Sequence, residues 1–150
     1  MVYHIVTYFT ACPVFKYIVT SMLAKKYAQI VGVVLLVIAA VGFIAGEDPL
    51  LGVLNIDLQE DLIHLLTGGL LTYVGFTKSE KVVAGVVGIL GAVYLLVGVI
   101  GIVSGGLLGI LSHEYSLLDN IIHLTLGIAG LVVYFMSNSV KRSDKNSIKL

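Results

Sequence analysis

The feature that most constrains this chain is an internal repeat with a 59-residue period. Gly32, Val34, Leu36, Gly42, Gly46, Ile63, His64, Leu65, Gly68, Val74 and Phe76 recur as Gly91, Val93, Leu95, Gly101, Gly105, Ile122, His123, Leu124, Gly127, Val133 and Phe135. Each copy holds an apolar segment, a short break, and a second apolar segment that opens on an acidic or amide residue followed by a histidine. Self-similarity at a fixed period means that one supersecondary unit is used again. The chain is therefore expected to be two copies of a two-element motif.

Composition decides the solvent of that motif. The 150 residues are 58% hydrophobic and 12% charged, whereas soluble domains carry about 25% charged residues. Mean hydropathy is +1.04. A helix needs ~20 mostly apolar residues to cross the ~30 Å hydrocarbon core. Residues 28–46, 62–77, 82–112 and 121–140 contain no Asp, Glu, Lys or Arg. The third stretch is too long for one upright helix and must hold a helix plus an apolar loop. The reading is all-α: a polytopic membrane protein with four transmembrane helices, over 27–46, 60–77, 82–104 and 119–137, arranged as two repeated hairpins. Its divisions are an N-terminal segment 1–24, a first hairpin 25–79, a second hairpin 80–138 and a basic cytoplasmic tail 139–150.

The zero net charge conceals a sharp separation. Lys25 and Lys26 precede the first span, Lys78 and Lys81 lie between the second and third, and Lys141, Arg142, Lys145 and Lys149 follow the fourth. The other two connections hold no Lys or Arg. They and the helix starts after them carry Glu47, Asp48, Asp57, Glu60, Asp61, Glu114 and Asp119. Lys and Arg in short loops mark the cytoplasmic side. Both termini and the central loop are thus expected inside the cell membrane, and both apolar-acidic loops outside. The basic residues sit at membrane edges without an aromatic-lined patch, so no nucleic-acid partner is expected. Cys12 is the single cysteine and permits no internal disulfide.

Residues 1–24 stand outside the repeat. Pro13 and Lys16 interrupt their apolar run before a span is complete, and the opening MVYHIVTYF lacks the basic start of a secretory signal. An interfacial or poorly ordered segment is expected there, with Met22 as an alternative start. Each first helix ends in a glycine pair at four-residue spacing, Gly42/Gly46 and Gly101/Gly105. Small residues so spaced let helix backbones approach closely in lipid. Tight packing inside the chain is the first expectation for them, and homo-oligomer contact the second. The outer loops PLLGVLNID and GLLGILSHE are apolar enough to lie at headgroup level over the helix ends.

The candidate site is the histidine pair. Residues three and four apart share a helical face, so Glu60, Asp61, His64 and Gly68 form one stripe, and Asp119, Asn120, His123 and Gly127 its counterpart. A motif repeated after two crossings places both stripes at one depth, related by an axis along the membrane normal as in parallel transporter repeats. If the stripes face that axis, two imidazoles and several oxygen groups converge. Three readings stand side by side. In one, the acids and amides order helix N-termini. In another, His64, His123 and Asp61 ligate a metal, as carboxylate–His pairs do in helical bundles, although Asn120 replaces the second Asp. In the third, both histidines hold a haem, with Gly68 and Gly127 leaving room for the ring and no Lys or Arg nearby to meet its propionates. No cofactor is expected ahead of metal or haem. His113, Glu114 and His4 support no assignment, and no nucleophile elbow, zinc-protease, paired-cysteine or phosphate-loop motif occurs.

These motifs resemble those of the domain of unknown function family numbered 4383, small bacterial and archaeal membrane proteins. The resemblance covers about residues 28–137. It lies in Gly42-Phe43-Ile44-Ala45-Gly46, Leu51-Gly52-Val53-Leu54 and Asp61-Leu62-Ile63-His64-Leu65-Leu66-Thr67-Gly68. The family shows Asn where Asp61 stands, so this chain carries the amide only in its second copy. The resemblance implies four transmembrane helices and no assigned activity. The functional expectation is a non-enzymatic scaffold, complex subunit or small-ligand binder acting through its outer face. A metal- or haem-binding redox protein using the paired histidines is the alternative. The lipid bilayer and a homo-oligomer or larger membrane complex are the expected partners.

Overall fold

The computed structural model describes residues 22–46, 58–104 and 116–147, with side chains to residue 139. The described residues are helical: α1 (Leu23–Ala45), α2 (Leu58–Thr77), α3 (Glu80–Ser104) and α4 (Leu117–Ser147). Three of them, α1, α3 and the Leu117–Ser139 part of α4, are long and apolar enough to cross a membrane. The N-terminal segment before residue 22, both apolar loops, Gly105, His113 and Glu114 lie outside the described residues.

The helices pack in two close pairs, α1 with α2 and α3 with α4, and contact between the pairs is sparse. Glycines make the close approach. A Cβ at Gly68 would stand 2.9 Å from the Gly32 carbonyl oxygen and 3.0 Å from the Leu36 nitrogen. At Gly91 it would stand 3.0 Å from the Leu131 nitrogen and 3.1 Å from the Gly127 oxygen. Backbone therefore meets backbone, as small residues permit between helices in lipid. One contact is inverted between the pairs. Gln29 of α1 lies over Gly75 of α2, whereas 59 positions on Gly88 of α3 receives the ring of Tyr134 from α4. The large and small partners have exchanged helices while the register is kept.

The core follows from this spacing. Ala24, Ala28, Leu35, Leu71, Val74, Val83, Ala84, Val87, Tyr94 and Val133 are buried together, and most are small or β-branched. Outside, aliphatic side chains face outward from every helix, Ile44 at 87%, Val103 at 81% and Leu66 at 71% exposure among them. Isolated apolar residues are ordinary on a soluble surface, but a contiguous coat of them marks a membrane or partner surface.

Two boundaries differ from expectation. Among the described residues nothing lies within 4 Å of the Gly46 Cβ position, and Gly46 ends α1 at φ 78°, where its N–H bonds the Gly42 carbonyl at 2.9 Å. That left-handed conformation is what a glycine tolerates at a helix end. The tail expected from residue 139 continues α4 as helix to Ser147. Its sequence brings Lys141, Arg142 and Lys145 to the helix C-terminus, where positive charge complements the dipole.

Candidate functional site

The two stripes fold inward, each against its own neighbour. In α2, Glu60, Asp61, Gly68, Leu71, Val74 and Gly75 form the buried face, with His64 half-buried among them. A Cβ on Gly42 would fall on the Asp61 carboxylate, and one on Gly101 would fall on Asn120 Oδ1. The glycine near the C-terminal end of α1 or α3 thus makes room for the acid or amide at the start of its partner helix. Asp61 is 4% and Asn120 3% exposed, which puts a carboxyl group and an amide at equivalent places inside the helix pairs.

The helix start at α4 shows why these residues are there. Ser116 Oγ accepts from the Asp119 N–H at 3.1 Å, while Asp119 Oδ2 accepts from the Ser116 N–H at 3.1 Å and from its hydroxyl at 2.6 Å. This reciprocal cap satisfies helix N–H groups that have no partner inside the helix. Asp119 therefore orders its helix, and Asn120 next to it fills the gap over Gly101. In the sequence, Asp57 precedes Glu60 by the same three positions, though Asp57 itself lies outside the described residues.

The helices bearing the two histidines, α2 and α4, are not among the pairs that pack substantially. His123 instead stacks on Tyr94 of α3, its ring centroid 5.5 Å away at 23° between planes. The Tyr94 hydroxyl lies 3.0 Å from Thr67 Oγ1 of α2, and Thr67 donates to the Ile63 carbonyl at 2.7 Å. A tyrosine thus stands between the half of the site on α4 and the half on α2. Among the described residues no group of three or more His, Cys, Asp and Glu side chains is placed to hold a metal ion. Gly42, Gly68, Gly101 and Gly127 all lie at helix crossings, where an added Cβ would meet the partner helix.

Three functional contacts escape a reading by motif, and all three join the helix pairs. Tyr94 replaces Leu35 of the first copy, and Thr67 is replaced by Leu126 in the second. Tyr27, matched by Val86, donates from its hydroxyl to the Leu126 carbonyl at 2.8 Å. At the other end, Glu80 accepts from the Ala24 N–H at 2.9 Å, the Lys25 N–H at 3.3 Å and Ser137 Oγ at 3.5 Å. No side chain of its own helix caps α1 at Met22, so α3 supplies the cap. The available signal was departure from the repeat: each of these side chains differs from its counterpart 59 residues away. In comparison with known proteins, no family model, no curated protein and no solved structure matches the chain.

Proposed function

We propose that this is a four-span integral protein of the cell membrane, built from two repeated hairpins about an axis along the membrane normal, with both termini cytoplasmic. In this reading it belongs with the small membrane proteins of the domain of unknown function family numbered 4383. It works without catalysis, as a scaffold, a subunit of a larger membrane complex or a small-ligand binder, through its outer face. The observation that carries this reading is the use made of the polar residues at the outer helix ends. Asp61 and Asn120 fill glycine gaps within their own pairs, and Asp119 caps its helix. These side chains serve packing, which supports a binding or structural role over a shared reactive centre.

The fourth span is α2, whose 20 residues extend ~30 Å, about the hydrocarbon thickness. Its mean hydropathy is depressed by Gln59, Glu60, Asp61 and His64. Glu60 and Asp61 are turned inward, while Leu62, Ile63, Leu65, Leu66, Leu70 and Phe76 face out. A helix with that outer face suits lipid as well as its three neighbours do. What remains for partners is the acid-rich outer end.

Two measurements test the proposal. With Cys12 replaced, a cysteine at position 48 or 113 should react with an impermeant reagent from outside intact cells; reaction only from the cytoplasm would reverse the orientation. The purified protein should be colourless and metal-free by absorption spectroscopy and elemental analysis. A Soret band or stoichiometric metal would replace the non-enzymatic reading with the redox one.

A further inference from the structure

The basic end of the molecule carries more than a topological signal. Lys78 and Lys81 flank the turn from α2 to α3, and both are exposed. Lys78 does not extend away from the bundle: its Nζ lies 5.0 Å from the centroid of the Tyr73 ring. Tyr73 is 55% exposed on the outward face of α2, beside Phe76 at 63%. The ammonium is therefore folded back along the face that meets lipid, over an aromatic ring of the kind that sits at headgroup level. Lys81, three residues further on, is the second residue of α3.

The nearest acid cannot neutralise them at no cost. Glu80, between the two lysines' helices, is engaged by the Ala24 and Lys25 N–H groups and by Ser137. Its carboxylate points into the bundle to cap α1. Among the described residues neither lysine is paired with a carboxylate. One ammonium group is thus left over an exposed tyrosine and a second, that of Lys81, is exposed near the start of the next helix, with the acid beside it in sequence already used.

We propose that Tyr73, Lys78 and Lys81 form a docking site for an anionic phospholipid, whose phosphodiester meets the two ammonium groups while its acyl chains lie along Tyr73, Phe76 and the outer face of α2. Lysines near a membrane surface each contribute enough to select anionic over zwitterionic lipid. Tyr73 fixes where one of the charges stands. The site rests on α2 crossing the bilayer but not on which leaflet receives its end.

The full-length protein in nanodiscs of mixed phosphatidylglycerol and phosphatidylcholine tests it, with the retained lipids counted by native mass spectrometry. The ratio of phosphatidylglycerol to phosphatidylcholine among the retained lipids should be roughly tenfold that of the mixture, as two surface lysines allow. The Lys78→Gln/Lys81→Gln double variant should lose most of that enrichment, and Lys78→Arg/Lys81→Arg should keep it. Excess inorganic phosphate should leave it intact; if phosphate strips the lipid, the lysines serve a free anion and the assignment falls. Equal retention of both lipids, or unchanged enrichment in the glutamine variant, overturns the site. A cysteine at the outward-facing position 66, in a Cys12→Ser background, reports on the span itself. If it labels freely from water, α2 does not cross and the four-span reading fails; if it is protected without lipid selectivity, only the docking site fails.

Discussion

The interior of each helix pair and the seam between the pairs are held by different physics. Inside the pairs, glycine brings backbone against backbone, at Gly32 and Gly68 in one and Gly91 and Gly127 in the other. Across the seam, contact is sparse, and named hydrogen bonds run from Glu80, Tyr27 and Tyr94 to the opposite pair. In lipid there is no hydrophobic drive to press helices together, so association rests on packing and interhelical hydrogen bonds. This chain has divided those two means between two places. The pairs should behave as stiff units, and the seam as the softer joint.

The sharpest way to break the comparison is to separate the backbones within a pair. Gly68→Leu and Gly127→Leu should each cost about 3 kcal/mol or more, because the side chain must displace main chain rather than a flexible neighbour. Thermal unfolding in detergent measures this. Gly69→Leu and Gly85→Leu are the matched controls, since among the described residues nothing lies within 4 Å of either Cβ position. They should be neutral or stabilise by up to about 1 kcal/mol through helix propensity. Equal losses at all four positions would mean that the pairs are not held by close approach.

The Gly42 and Gly101 ends of the pairs offer the next test. Gly42→Ala and Gly101→Ala should each cost about 1–3 kcal/mol, since the new methyl displaces a buried carboxylate or amide. Asp61→Asn should cost less than Gly42→Ala, because the second pair holds Asn120 in the equivalent gap. If Asp61→Asn proved the more damaging change, the charge itself would be in use and the packing account of this position would fail.

At the start of α1, Glu80→Ala should cost about 1–2 kcal/mol, the usual loss when helix N–H groups are left without their cap. Glu80→Gln keeps one acceptor oxygen and should cost less. Hydrogen exchange at Ala24 and Lys25 should rise in the alanine variant while the middle of α1 stays protected. Unchanged exchange at those two amides would remove Glu80 from its role as a cap donated across the seam.

What the sequence could reveal follows from the same division. The charge-free stretches located the helices because lipid demands apolar length, and the glycine stripes marked the tight faces because close approach demands small residues. The direction of those faces was not legible. Asp61, His64 and Gly68 share a stripe whether it turns to the neighbouring helix or to a central axis, and only the helix crossing decides between them. Gly46 continues the Gly42 spacing, and its place as the residue that ends α1 at φ 78° was not legible from that spacing. Glu80 and Tyr94 carry no repeat signal, since Glu80 stands 59 residues from Ser21 and Ser139, and Tyr94 from Leu35. The seam is built where the copies disagree, so a reading that starts from their agreement sees the pairs first.

The smallest expected effects are at the Tyr94–Thr67 contact of the seam, and they decide whether the histidines share anything. Tyr94→Phe removes one interhelical hydrogen bond and should cost about 0.6 kcal/mol, the typical value for such a bond in a membrane bundle. Thr67→Val should cost about the same, and the double variant less than the sum, because the two hydroxyls serve one bond. His123 stacks on the Tyr94 ring, so His123→Ala and Tyr94→Leu should couple as well. His64→Ala and His123→Ala should instead add within about 0.5 kcal/mol, as separate sites do, because α2 and α4 do not pack substantially on each other. Coupling between the histidines that vanishes on the Tyr94→Leu background would mean that the tyrosine transmits between them. Coupling that survives that change would require a direct link between His64 and His123, and the picture of two self-contained pairs would have to be given up.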